Sequence, residues 1–154
     1  MKSLLLGGRP MNAKEYLNQA YRLEQRIKLA KMEIENLQEL ACCAHSPGFE
    51  EHYNSTRNTE APFIKTMYKI MDMEDAADKW LQVLLKLKAE ITQAISEVVD
   101  KDERLVLQYR YLYNWTWYRI ADEIAADERT VRRWHNRALS HFTVPDNPTI
   151  IDEK

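Results

Sequence analysis

Four arginines and one asparagine fall within nine residues near the carboxyl end, in a stretch with helical periodicity. Within residues 128–141, Val131, Trp134 and Ala138 recur at steps of three and four, which predicts the buried side of a helix. Guanidinium groups bind phosphates and pair with guanine through two hydrogen bonds, and an asparagine amide pairs with adenine. The predicted outward side therefore has the chemistry of a nucleic-acid contact, and its residues are Glu128, Arg129, Arg132, Arg133, Asn136 and Arg137.

The residues before this helix have the spacing of a helix-turn-helix. That motif needs a small residue where its two helices cross, and Ala121 has this position, with Ile120 before it and Ile124 three residues later. Val131 follows Ala121 by ten residues, as the second helix requires. The spacing predicts helices over 117–125 and 128–141, preceded by a third helix over 102–113. The second helix of the motif would be the recognition helix.

Polar residues at the helix starts support this assignment. Thr116 is placed to cap the first helix of the motif and Asp127 to cap the second. Arg119, Tyr118 and Arg110 are the predicted contacts to the DNA backbone from the preceding helices.

This region resembles region 4 of the sigma-70 factors. From residue 11 onwards, the chain also resembles small phage and prophage proteins of Gram-positive bacteria, grouped with late-operon transcriptional regulators of the ArpU and RinA type. The resemblance covers roughly residues 11–141. It implies double-stranded DNA as the ligand and leaves host RNA polymerase as a candidate partner. The motifs that carry it are Arg110-Tyr111-Leu112, Thr116-Trp117, Ile120-Ala121, Thr130-Val131 and Arg137-Ala138-Leu139.

The chain departs from that pattern at two positions. Ala125 stands where such turns usually have a glycine in the left-handed conformation, so we expect a rearranged or strained turn. Arg119 stands where an acidic or amide residue would complete the cap of Thr116. No segment resembles the promoter-melting region of a sigma factor, so the protein is not expected to open promoters alone.

A heptad pattern predicts a long helix over residues 12–43, in which Asn12 and Glu15 have the spacing of a capping box. A second helical stretch follows over 63–99, after a polar segment, 45–62, that is predicted to be a mobile loop. Two long helices joined by a loop predict an antiparallel hairpin. The heptad seam consists of Tyr16, Ala20, Leu23, Ile27, Ala30, Ile34, Leu37 and Ala41.

The seam has two uses that the sequence leaves open. It packs against the second long helix of the same chain, or it also pairs two chains. We favour the second use, in which a homodimer presents two recognition helices to a repeated or palindromic DNA site.

The predicted fold is all-α, in agreement with only 3 glycines and 5 prolines in 154 residues. The expected parts are a disordered extension over 1–10, a helical hairpin over 11–100, a sigma-region-4-like helix-turn-helix over 101–143 and an irregular tail over 144–154. We expect Met11 to be the natural start of the chain.

The net charge of −2 argues against a protein that coats nucleic acid, but residues 101–143 contain eight basic and six acidic groups, which allows a local basic face. No apolar run is long enough to span a bilayer, and the first residues are too short a hydrophobic segment for a secretory signal. Two adjacent cysteines, Cys42 and Cys43, do not make a disulfide framework. The expected compartment is the cytoplasm.

No residue pattern predicts an enzyme, a metal site or a cofactor. Cys42, Cys43, His45 and His52 lack the spacing of zinc ligands, and the cysteines are expected to pack inside the hairpin. His135 is predicted to lie on the surface, as is His141. The aromatic residues around them are predicted to form the core of the small module, and they are Tyr111, Trp115, Trp117 and Trp134.

These observations predict a sequence-specific DNA-binding regulator of transcription, acting on phage or prophage late genes. The alternative is a DNA-recognising assembly or adaptor protein, such as a small packaging subunit. In those subunits the DNA module usually precedes the coiled coil, and here the order is reversed.

Overall fold

The computed structural model describes residues 5–6, 9–43 and 62–151. Within them the regular elements are helices, apart from two short strands, β1 (Leu5–Leu6) and β2 (Arg9–Pro10), which pair antiparallel. In this described part no helix is long and apolar enough to cross a membrane. The helices are α1 (Ala13–Cys43), α2 (Pro62–Ser96), α3 (Lys101–Leu107), α4 (Trp117–Glu123) and α5 (Glu128–His141), with a π-helical turn at Gln108–Leu112 directly after α3.

The predicted start and seam of α1 are confirmed. Glu15 N–H donates to Asn12 Oδ1 at 2.8 Å, and Asn12 N–H donates to Glu15 Oε2 at 3.1 Å, so the two residues form a capping box. Six of the eight seam residues are buried, and Ala30 and Leu37 are half-buried. The heptad pattern therefore marks the side of α1 that packs against its own chain.

The chain divides into two compact units, and the smaller one is Gln25–Gln82. In it, Lys69 Nζ lies 3.3 Å from Glu33 Oε1, and Gln38 donates to Glu74 at 3.3 Å. These two exposed contacts join α1 and α2 within the smaller unit. Homodimerisation remains a prediction.

The larger unit consists of Met1–Glu24 and Val83–Lys154, so it contains one end of each long helix together with α3, α4 and α5. The rings of Tyr16 and Phe142 lie 6.2 Å apart, and Lys88 donates to the Leu112 carbonyl at 3.4 Å. Lys88 also forms an ion pair with Glu24. These contacts hold one end of each long helix in the same unit as the helices that follow it.

The start of α3 is fixed by Asp100, whose Oδ1 accepts from the backbone N–H groups of Asp102 and Glu103 at 2.9 and 3.1 Å. The bond from the Glu103 N–H contributes most to lowering the pKa of Asp100, and the bond from Asp102 adds to it. Burial opposes both. α3 packs on α5 and on the π-helical turn, and α4 packs on both of these. This packing holds α5 in place.

Residues 142–151 form no helix or strand, as predicted for the tail. They are nevertheless held to the long helices, because Thr149 N–H and Oγ1 donate to Glu90 at 2.9 and 2.7 Å and Ile151 N–H donates to Gln19 at 2.9 Å.

Some predictions fall where the structure gives no description. Most of the predicted extension 1–10 and of the loop 45–62 lies outside the described residues, although residue 62 belongs to α2. The prediction that Cys42 and Cys43 pack inside the hairpin is wrong. Both are exposed, because they are the last two residues of α1 and lie beyond Ala41, the end of the buried seam.

Candidate nucleic-acid interface

The turn between α4 and α5 is defined by a cap at the start of α4 and by backbone hydrogen bonds at its end. Thr116 Oγ1 accepts from the Arg119 N–H at 3.3 Å and caps α4. Ala126 N–H donates to the Ala121 carbonyl at 3.0 Å and Ala125 N–H to the Asp122 carbonyl at 3.3 Å, which is the Schellman pattern of a helix end. This pattern requires a left-handed residue, and Ala125 supplies it with φ 49°.

α5 begins after Asp127, which has extended backbone angles but makes no side-chain capping bond. The predicted cap position is therefore confirmed, and its carboxylate is left without the expected partner. Together with Asp122 and Glu128, it lines an open groove beside the turn. This edge of the site is acidic.

A small apolar core lies behind α5. Val106, Ile120 and Val131 are fully buried, and Ala121 packs with them at the crossing of α4 and α5. The predicted aromatic core is confirmed for Tyr111, which is buried, while the tryptophans are half-buried at its edge and are Trp115, Trp117 and Trp134.

The outward side of α5 carries all six predicted residues, and each is exposed. At 3.6 residues per turn, Arg129, Arg133 and Asn136 lie in the middle of this side, opposite Val131. Among the described residues, Arg129 and Arg133 have no ion pair. Two guanidinium groups thus have their donors available, and the Asn136 side chain is exposed but also bonds to His135.

Arg132 lies at the edge of this side next to α4, and it is held by two neighbours. Its Nε donates to Glu128 Oε1 at 3.1 Å, and its Nη2 contacts the same oxygen. The guanidinium carbon lies 5.3 Å from the ring centre of Trp117. Because Glu128 binds both Nε and Nη2, Nη1 is the nitrogen that remains available to an outside acceptor.

Arg137 lies at the opposite edge, next to α3, and is engaged inside the molecule. Its Nε contacts Glu103 Oε1, and its Nη2 lies 3.3 Å from Asp100 Oδ2. His141 Nδ1 donates to the other oxygen of Glu103 at 2.8 Å. Burial alone would raise the pKa of Glu103, but the bonds from Arg137 and His141 outweigh it and lower that pKa below its usual range.

A second group of arginines is held against tryptophan rings before α5. The Arg119 guanidinium lies 4.0 Å from the ring centre of Trp115, and Tyr109 stacks on that ring at 4.5 Å. Arg110 lies 4.6 Å from the ring centre of Trp117 and donates to the Trp115 carbonyl at 2.8 Å. Cation–π contact orders these charged groups without neutralising them.

The prediction that His135 lies on the surface is wrong. It is 6% exposed, its Nε2 lies 2.9 Å from the Tyr111 hydroxyl oxygen at hydrogen-bond distance, and its ring meets Trp117 edge-on at 4.8 Å. Burial lowers the pKa of His135, and the nearby positive charges of Arg110 and Lys14 lower it further. A side-chain hydrogen bond with Asn136 opposes them. Its spacing of four residues from Val131 was the signal in the sequence that it lies on the buried side.

These contacts divide the seven residues predicted to bind DNA into a set that is available at the surface and a set that is held in ion pairs. Five of the residues proposed to contact DNA keep donors or acceptors at the surface, and these are Arg119, Arg129, Arg132, Arg133 and Asn136. Glu128 and Arg137 are committed to ion pairs within the chain. No group of His, Cys, Asp or Glu side chains in the described part of the chain is arranged to hold a metal ion.

A family model described as "Protein of unknown function (DUF722)" matches residues 14–143. The match extends from the first turn of α1 to just beyond the end of α5. No curated protein and no solved structure matches the chain. The family description names no activity, so the resemblance to late-operon regulators and to sigma region 4 stays a prediction.

Proposed function

The chain belongs to the DUF722 family, and we propose that it is a sequence-specific, double-stranded-DNA-binding regulator of transcription that reads the major groove with α5. In this proposal α4, the turn at Ala125 and α5 form a helix-turn-helix, and α1 with α2 forms an antiparallel helical hairpin. The genes concerned are phage or prophage late genes, and host RNA polymerase is the candidate partner.

The observation that supports this function most strongly is the solvent-exposed, arginine-rich outward side of α5. Arg129, Arg133 and Asn136 are exposed on a helix whose opposite side is anchored by buried Val131 and Ala138. Residues 128–141 contain four arginines and one acidic residue, in a protein whose net charge is −2. A basic helix on a near-neutral protein suits contact at one site rather than general coating of DNA.

The contacts assign different tasks to the arginines. The middle residues Arg129, Arg133 and Asn136 are placed to meet base edges, where arginine pairs with guanine and asparagine with adenine. Arg132 and Arg119, ordered on tryptophan rings at the edge beside α4, are placed for phosphates, which set position rather than sequence.

Arg137 has a different task. Its ion pairs with Glu103 and Asp100 connect α5 to α3, so it holds the reading helix rather than touching DNA. Glu128 orients Arg132 in the same sense. The acidic groove at the turn would repel phosphates, so the DNA backbone is expected to pass along the tryptophan side of α5.

Removing Arg129 and Arg133 tests the proposal. We expect R129A/R133A to weaken binding to a 30-base-pair duplex, selected by the unaltered protein from random sequences, at least tenfold, because each lost base contact is worth about 1–3 kcal/mol. Fluorescence anisotropy measures the affinity. Repeating it at several salt concentrations gives the slope of log K against log salt, which R119A/R132A should make shallower because these two arginines are placed for phosphates.

K65A/K79A is the matched control, because both lysines are exposed on α2 and their removal takes away the same charge. It should leave affinity and slope within about twofold of the unaltered protein. If R129A/R133A keeps its helical circular dichroism and behaves like the control, α5 does not bind DNA.

A further inference from the structure

α1 carries a second apolar stripe, on the side away from α2. Leu29 and Leu40 are each 65% exposed, Met32 is 50% exposed, and exposed Asn36 lies between them. These four residues follow one another at steps of three, four and four, so they lie on one side of the helix. Isolated exposed leucines are common, but a stripe of this spacing on a helix already packed elsewhere suggests a second contact.

The charged residues beside the stripe are segregated by sign along the helix. Lys28 and Lys31 lie in its amino-terminal half, and Glu35 and Glu39 lie on the same flank in its carboxyl-terminal half. All four are exposed, and none makes an ion pair among the residues that the structure describes. The flank is thus positive at one end and negative at the other.

We propose that this stripe is the homodimer interface, and that the α1 helices of two copies pair antiparallel across it. This proposal rests on the homodimer predicted from the sequence, and it names the surface and direction of that dimer. Aligning Leu29 of one copy with Leu40 of the second copy brings Lys28 beside Glu39 of the second copy. A two-fold axis through the middle of the stripe generates the same contacts in reverse, as a self-complementary interface requires.

The direction of pairing follows from the charges. The apolar pattern and the charge pattern share one centre, between Met32 and Asn36, so a single antiparallel alignment satisfies both. A parallel alignment in register would put this flank beside the opposite flank of the second copy, so the lysines and glutamates of the two equivalent flanks would not meet. The antiparallel alignment is therefore the one that complements the charges.

The occupant is a second copy because the surface complements itself. Its apolar residues lie at the two ends and its lysines and glutamates are equal in number, so no outside charge is needed to balance it. Most of the previously predicted seam is already buried within the chain, whereas this stripe is exposed. The dimer therefore forms without exposing the seam.

Charge reversal tests the interface and its direction together. Sedimentation equilibrium of the full chain at micromolar concentration should give the mass of two chains. K28E/K31E makes the whole flank acidic and E35K/E39K makes it basic, so each variant alone should sediment as one chain. An equimolar mixture of the two should give a heterodimer by native mass spectrometry, and K28E/K31E/E35K/E39K should recover the homodimer.

K65E/K79E reverses two exposed lysines on α2 and should remain dimeric. The proposal is overturned if the unaltered protein is a monomer, if either reversal variant stays dimeric, or if the mixed variants do not associate. The DNA proposal is tested separately by the same proteins, because R129A/R133A should dimerise normally while K28E/K31E should keep single-site binding to a duplex.

Discussion

At the scale of single residues, the arginines of α5 are distinguished by their neighbours rather than by their own chemistry. Arg137 faces the buried carboxylate of Glu103, Arg132 is held between Glu128 and a tryptophan ring, and Arg133 has no ion pair with any residue that the structure describes. A guanidinium group is ready to bind an outside anion only if no carboxylate already neutralises it. The residues closest to the middle of the outward side therefore carry the proposed recognition.

His135 should make stability depend on pH. Its folded-state pKa lies below the ordinary value of 6.5, chiefly because of burial, so protonation favours the unfolded chain. Its contribution is complete above pH 6.5 and is lost as the pH falls through its lowered pKa. Urea unfolding between pH 8 and pH 5.5 should show a falling free energy of unfolding, and H135Q should fall less steeply.

Glutamine is the chosen replacement because its amide oxygen still accepts a bond from the Tyr111 hydroxyl. Glu103, whose pKa is lowered from 4.5, loses its contribution only at more acid pH, so it does not interfere in this range. Equal pH slopes for H135Q and the unaltered protein would show that the buried histidine is not the source.

At the scale of elements, the turn between α4 and α5 stores strain. Ala125 adopts φ 49°, a conformation that costs a residue with a β-carbon roughly 1–2 kcal/mol relative to glycine. The Schellman bonds around it over-determine the conformation, so the strain persists.

Replacing this alanine should stabilise the protein. A125G removes the steric cost but adds about 0.4–1 kcal/mol of unfolded-state entropy, so we expect a net gain of about 0.5–1 kcal/mol in the free energy of unfolding. Chemical denaturation measures it.

A121G is the matched control, because Ala121 lies inside α4 at the crossing with α5. It should cost about 1 kcal/mol, since glycine is unfavourable in a helix interior. A destabilised A125G would mean that the turn in solution is not the left-handed one described.

Local patterns allowed the helices to be predicted, and non-local contacts explain what was missed. The seam from Tyr16 to Ala41 and the cap at Thr116 depend on residues close in sequence, so their periodicity and spacing sufficed. The ion pair of Arg137 with Glu103 joins residues 34 positions apart, and no local pattern indicates it. The π-helical turn, and the left-handed backbone of Asn114 after it, are likewise not indicated by any local sequence pattern.

At the scale of the whole molecule, charge is separated along the chain. Residues 101–143 have eight basic and six acidic groups, and residues 44–100 have six and ten, so the net charge of −2 hides a basic part and an acidic part. Such a protein should bind random DNA weakly and a specific site much more tightly. A dimer would bring two copies of α5 to one DNA molecule, which favours a repeated or palindromic site.

Selection from a pool of random-sequence duplexes tests the central claim most directly. The account predicts enrichment of one sequence, bound by the full chain about 10³-fold or more tightly than a scrambled duplex at the same salt concentration. It also predicts that R129A/R133A removes most of this ratio. A pool without enrichment, or equal affinities for the enriched and scrambled duplexes, would contradict the account.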